Sequence, residues 1–197
     1  MSGEHGEHGE LPVAARVRRL EERLIAAGLA TDAELDEVLE RVFASASPVN
    51  GARIVARAWK DPGYRAQLLA DGNAAAAELG FGAATQGYLL KAVENTAAVH
   101  NMIVCTLCSC YPTALLGPSP SWYKSFAYRS RAVREPHAVL AEFGLELPDS
   151  TDIQVWDANS EARYLVLPLP PEDVDEMDEN KLASLVTRNG LIGTAIR

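Results

Sequence analysis

The stretch Val104-Cys105-Thr106-Leu107-Cys108-Ser109-Cys110 contains all three cysteines of the 197-residue chain. Thiols that merely fill a core would be spread along the sequence, so three sulfurs within six residues point to a metal loop. The Cys108-Ser109-Cys110 step narrows the metal. When two sulfurs one residue apart bind one ion, the peptide nitrogens of Ser109 and Cys110 are carried toward it. A deprotonated amide is a strong-field ligand that suits a low-spin trivalent or square-planar ion better than zinc, whose filled d shell gains nothing from it. Three sulfurs and two amides make five ligands, which leaves a sixth octahedral position open.

Other readings of the same residues stand beside this one. Structural zinc needs four side chains, and a fourth would have to come from His100, five residues upstream. A lone histidine on an apolar strand is more often a hydrogen-bonded structural residue, so His100 is left out of the metal shell. A disulfide leaves one thiol over, and a Cys108 to Cys110 bridge across a single residue would be strained. Buried thiols without a metal are the plainest alternative.

Working outward, Tyr88 to Val93 and His100 to Val104 are apolar and β-branched, and read as strands leading into the loop. Downstream, Pro112, Gly117, Pro118 and Pro120 exclude a long regular element and predict a constrained turn. A helix is expected from Pro136 to Phe143 with Gly144 closing it. Strands follow at Ile153 to Trp156 and Tyr164 to Leu167, with a last helix over Glu179 to Thr187. Toward the N-terminus, Val13, Val17, Leu20, Leu24 and Ile25 recur at helical spacing up to Gly28. Thr31 and Glu34 form a capping-box signature for a second helix carrying Leu35, Val38, Leu39 and Val42, which Pro48 ends. Short helices are expected over Gly51 to Lys60 and Gly63 to Leu69, the latter begun by Asp61-Pro62 and closed near Gly72. Helices and strands are mixed rather than strictly alternating, so the fold class is α/β (α+β), a sandwich-like domain preceded by two helices that either fold back on each other or extend as an arm. The expected organisation is a disordered tail over residues 1–10, a helical segment over 11–48 and a metal-binding domain over 49–197, of which the segment becomes an arm and the domain catalytic only by family resemblance.

Composition sets the outer bounds. A net charge of -9 lacks the clustered cations that neutralise phosphates, so nucleic acid is not an expected partner. No apolar run approaches the roughly 20 residues that span a bilayer, and MSGEHGEHGE lacks the basic and apolar regions of a signal peptide. No membrane association is expected, and cytoplasmic residence is the default. His5 and His8 belong to the tail and are given no role.

With those residues in view, the chain resembles the alpha subunit of nitrile hydratase. The likeness runs from about Leu24 onward, through Val93-Glu94-Asn95-Thr96, Val99-His100-Asn101, the cysteine loop, Trp122-Tyr123-Lys124-Ser125, Tyr128-Arg129-Ser130-Arg131, Val155-Trp156-Asp157, Arg163-Tyr164-Leu165-Val166-Leu167-Pro168 and Leu185-Val186-Thr187-Arg188. Thr106 with Tyr111 resembles the cobalt-type pattern, which makes iron the lesser expectation. The thiocyanate hydrolase gamma subunit is similar to it and is the nearest competitor.

The resemblance implies a layered α-β-β-α catalytic domain and an N-terminal arm that embraces a beta subunit. It implies one Co3+ per alpha subunit, held by Cys105 as unmodified thiolate, Cys108 as sulfinate, Cys110 as sulfenate, and the backbone nitrogens of Ser109 and Cys110. The catalytic residues implied are Cys108, Ser109 and Cys110, with Gln86, Asp157, Glu161 and Arg163 supporting the loop. From the residues alone, Glu161 and Arg163 read as an ordinary surface ion pair and Gln86 as a polar loop residue. Oxidised sulfurs need cationic donors, and the resemblance assigns these to two arginines of the beta subunit, so the isolated chain is expected to be an incomplete enzyme. A metallochaperone for cobalt loading and a nitrile substrate complete the implied partners.

Trp122 and Tyr123 are expected at an interface. Arg129, Arg131 and Arg134 form a basic cluster facing either the beta subunit or carboxylates of their own chain. Where many relatives have Trp-Pro after Tyr-Pro, this chain has Thr113-Ala114, and Pro118-Ser119-Pro120 replaces Leu-Pro-Pro. The loss of an indole predicts a wider pocket for a bulky, heteroaromatic nitrile such as a nucleoside nitrile. Three functions are carried forward: nitrile hydration, thiocyanate hydrolysis on the same loop, and non-catalytic metal binding.

Overall fold

The structure, a computed structural model, describes residues 12–197. The tail expected over residues 1–10 lies outside the described residues. The chain divides into two units, Met1–Val42 and Phe43–Arg197.

The described part of the first unit consists of α1 (Val13–Ala26) and most of α2 (Asp32–Ser45). Gly28 ends α1 at φ 67°, and the Gly28 and Leu29 N–H groups bond to the Ile25 and Leu24 carbonyls, the closure expected of a glycine just past a helix end. The capping box forms: Glu34 N–H donates to Thr31 Oγ1 at 3.2 Å and Thr31 N–H to Glu34 Oε2 at 2.9 Å. These hydrogen bonds hold the Glu34 carboxyl below the ordinary glutamate range. No residue of α1 is buried, so its stripe of Val13, Val17 and Leu20 faces outward.

The second unit begins with α3 (Pro48–Lys60), α4 (Pro62–Ala70) and α5 (Gly72–Glu78). Pro48, expected to end a helix, instead occupies the first turn of α3, where its missing N–H costs nothing, and Ser47 caps it. The buried face of α3 is Gly51, Ala52, Ile54, Val55, Ala56 and Ala58. A Cβ on Gly51 would lie 2.8 Å from Leu191 Cδ1 and 2.9 Å from the Leu115 carbonyl, so this helix passes its neighbours too closely for a side chain. Asp61 and Asp71 cap α4 and α5.

The strands follow as β1 (Leu89–Glu94) and β2 (Val99–Val104). After α6 (Thr113–Leu116), α7 (Phe126–Arg131) and α8 (Pro136–Glu142) come β3 (Asp152–Asp157) and β4 (Ala162–Leu167). The final elements are α9 (Glu179–Leu185) and α10 (Arg188–Ile192). β1 pairs in parallel with β4 and β2 in parallel with β3, giving two small sheets. The near-continuous burial of β2 and β4 is what a sheet covered on both faces requires. Helices α4, α5 and α10 pack on the β1/β4 side with α3 and α9 beyond, while α8 packs on β3 with α7 beside it. The order is helices, sheet, sheet, helices, a mixed α-β-β-α arrangement. Among the described residues no helix is long and apolar enough to cross a membrane.

His100 lies in this core. Its Nε2 donates to the Gly193 carbonyl at 2.8 Å and its Nδ1 faces Asn95 Nδ2 at 3.3 Å, so it serves as a structural residue. Burial depresses its pKa.

Candidate metal centre

The register of β2 on β3 ends at Val104 beside Asp157, and the cysteine loop starts there. The Val104 carbonyl still accepts a ladder-like bond from Ala158 N–H at 2.7 Å, after which the chain leaves the sheet. Cys105 is fully buried under the loop, Cys110 is half-buried, and Cys108 is exposed. The three Sγ atoms lie within 4.8 Å of one another, with 3.2 Å from Cys105 to Cys108 and from Cys108 to Cys110. No disulfide forms, since a disulfide bond is about 2.05 Å.

The donor set fits a metal ion. Sulfurs about 2.3 Å from one ion lie about 3.3 Å apart at a right angle and about 3.8 Å apart at a tetrahedral angle. The two 3.2 Å edges match the right-angled case. Within the loop the Cys108 N–H donates to Cys105 Sγ at 3.2 Å. The neighbouring Cys105 and Cys110 thiols, with the Cys110 and Ser109 backbone dipoles, lower the Cys108 pKa to about 7. Cys110 moves the other way, to about 11, because burial and the Cys108 contact outweigh the nearby Arg163 guanidinium.

The loop is anchored on both sides. Asp157 accepts from Thr106 N–H at 2.9 Å and from Thr106 Oγ1 at 2.5 Å. Arg163 Nη1 donates to the Tyr111 carbonyl at 2.8 Å, Nε to the Asn159 carbonyl at 3.1 Å, and its guanidinium stacks 4.8 Å from the centre of the Tyr88 ring. Tyr123 Oη donates to the Cys110 carbonyl at 3.0 Å.

Asp157 and Arg163 therefore reach the loop directly. Gln86 and Glu161 do not: both are exposed, and among the described residues neither side chain has a hydrogen bond or ion pair to the loop. The surface ion pair read between Glu161 and Arg163 is absent among the described residues, because Arg163 is turned inward to backbone carbonyls. The expectation of an interface is corrected for Tyr123, while Trp122 is half-buried. Tyr123 is fully buried, and Trp122 packs edge-on against Tyr123, Tyr128 and Phe143, because an aromatic cluster supports the loop from below. The basic cluster splits: Arg131 pairs with Glu135 and Glu142, Arg134 with the Ser130 carbonyl, and Arg129 with the loop.

An open cavity of about 400 Å³ adjoins the loop, lined by Thr106, Phe126, Arg129, Ser130, Val133 and Asp157. Leu107 on the loop is 86% exposed and Phe126, lining this cavity, 81%, which leaves two large apolar side chains uncovered.

Comparison with known proteins agrees with this arrangement. The family model described as nitrile hydratase, alpha chain, matches residues 11–195, and the chain belongs to that family. It is 44% identical over 201 residues to the low-molecular weight cobalt-containing nitrile hydratase subunit alpha of Rhodococcus rhodochrous, covering 100% of this chain and 97% of that protein. A double mutant of the Fe-type nitrile hydratase from Comamonas testosteroni Ni1 superposes with a TM-score of 0.86 at 41% identity, covering 94% of this chain and 91% of that one. A recombinant thiocyanate hydrolase comprising partially modified cobalt centres superposes with a TM-score of 0.86 at 38% identity, covering 95% and 91%.

Proposed function

We propose that this chain is the metal-bearing alpha subunit of a nitrile hydratase that hydrates a nitrile to its amide at a Co3+ centre. The observation that carries the reading is the convergence of three sulfurs at the end of β2. Cys105, Cys108 and Cys110 supply the sulfur ligands, and Ser109 and Cys110 the amide ligands. The relatives named as cobalt-containing, together with Thr106 and Tyr111, favour cobalt over iron. The expected stoichiometry is about one ion per chain.

When bound, such an ion supplies a Lewis acid with one exchangeable position. The chain's own residues do the rest. Cys105, buried under the loop, offers the least accessible sulfur, whereas exposed Cys108 and half-buried Cys110 are the sulfurs that would take up oxygen from dioxygen as oxidant, to sulfinate and sulfenate respectively. The Cys110 oxygen then stands at the mouth of the site as nucleophile or base. Asp157, through Thr106, and Arg163, through Tyr111, hold the two ends of the loop.

A beta subunit completes the site. The exposed Leu107 and Phe126 support a partner on the face of the loop, and the exposed stripe of α1 by itself supports an embracing arm over residues 11–48. That partner brings the arginines for the oxidised sulfurs, and a metallochaperone loads the cobalt in the cytoplasm. Thr113 is small and exposed at the start of α6, which supports a wide mouth and a bulky, heteroaromatic nitrile.

Thiocyanate hydrolysis is the second reading, supported by the similarity to thiocyanate hydrolase. Assay of the assembled complex for amide from a nitrile and carbonyl sulfide from thiocyanate separates them. Amide is expected, and carbonyl sulfide as the main product would overturn the hydratase reading.

A further inference from the structure

Two neighbours on α7 reach the strand end and the first half of the metal loop. Tyr128 Oη donates to the Ile103 carbonyl at 2.6 Å. Arg129 Nε donates to the Cys105 carbonyl at 3.1 Å and its Nη2 to the Thr106 carbonyl at 2.7 Å. Two consecutive carbonyls on one guanidinium edge form a fork contact, which needs the planar, two-donor geometry of arginine and is not reproduced by a lysine point charge. Thr106 is thereby held from both sides, its N–H and hydroxyl by Asp157 and its carbonyl by Arg129. The far end is held by Tyr123 and Arg163. Among the described residues no hydrogen bond from outside the loop reaches Leu107, Cys108 or Ser109. The direction of the sulfurs therefore follows from how the two ends are fixed.

We propose that Arg129 is a positioning residue of the metal loop: its fork on the Cys105 and Thr106 carbonyls fixes the peptide planes at the loop entry, so the three sulfurs converge before an ion arrives. Its charge, behind the loop, also offsets the negative charge that gathers on thiolates and deprotonated amides. The proposal rests on the metal reading given above.

The test uses the assembled alpha–beta complex loaded with cobalt, comparing wild type with Arg129→Lys and Arg129→Gln. Arg134→Lys is the matched control just past the end of α7, since the Arg134 side chain donates to the Ser130 carbonyl and makes no hydrogen bond to the loop among the described residues. Cobalt loss to a chelator, the sulfur-to-metal absorption band and hydrogen exchange of residues 104–111 are measured. Both Arg129 variants are expected to release cobalt about tenfold faster, with a shifted band and faster exchange, as loss of an outer partner of metal ligands typically does. The control stays within about twofold of wild type. A wild type that binds no cobalt or iron overturns the metal reading and this proposal with it. Wild-type cobalt retention, absorption and exchange in both variants overturn the positioning role alone. Failure of both to assemble, while the control assembles, also overturns it by making Arg129 a residue of general folding.

Discussion

Asp157, the last residue of β3, takes both polar hydrogens of Thr106, the N–H at 2.9 Å and the hydroxyl at 2.5 Å. One carboxylate thereby ties the loop entry to the neighbouring strand, where Asp157 stands in register with Val104. Asp157→Ala removes both acceptors at an exposed site. It is expected to cost about 1 kcal/mol of global stability. Its larger effect falls on the loop: cobalt affinity, read by competition with a chelator, is expected to drop about tenfold.

His100 gives a pH dependence with a defined sign. Burial depresses its folded-state pKa below the ordinary 6.5. The unfolded chain therefore binds the proton more readily, and the contribution of His100 is complete above about pH 6.5 and lost as pH falls toward the depressed value. The urea midpoint is expected to fall between pH 7.5 and 5.5, and His100→Gln is expected to flatten that slope. An unchanged slope in the variant would remove His100 as its source.

Thr113 tests substrate size. Thr113→Trp restores bulk at the start of α6, so kcat/KM for a heteroaromatic nitrile is expected to fall about tenfold while that for acetonitrile holds. A wild-type preference for acetonitrile or acrylonitrile over bulky nitriles would contradict the wide-mouth reading.

Much of the frame was legible because its signals are local. The capping box at Thr31 and Glu34, the stop at Gly28, the Asp61-Pro62 start and the strand leading into Cys105 all sit where their residue types demand. The helix begun at Pro62 does close near Gly72, at Ala70, but a glycine read as a stop conceals a new start. Here it opens α5, where Asp71 supplies the cap and a Cβ would fall 2.4 Å from the Leu90 carbonyl. α10 escaped notice because five residues give no periodicity, and only Thr187 and Gly193 frame it. The metal loop was visible from sulfur spacing alone, but its anchors were not. Tyr123, Tyr128 and Arg129 act on carbonyls from 13 to 25 residues away in sequence, and no local pattern encodes which carbonyl a side chain reaches.

The central claim is that Cys105, Cys108 and Cys110, with two backbone amides, form a cobalt site. Plasma mass spectrometry of the complex purified from cells supplied with cobalt tests it most directly. The account predicts about one cobalt per alpha chain in wild type and less than about a tenth of that in Cys108→Ala. Stoichiometric zinc with neither cobalt nor iron would contradict it.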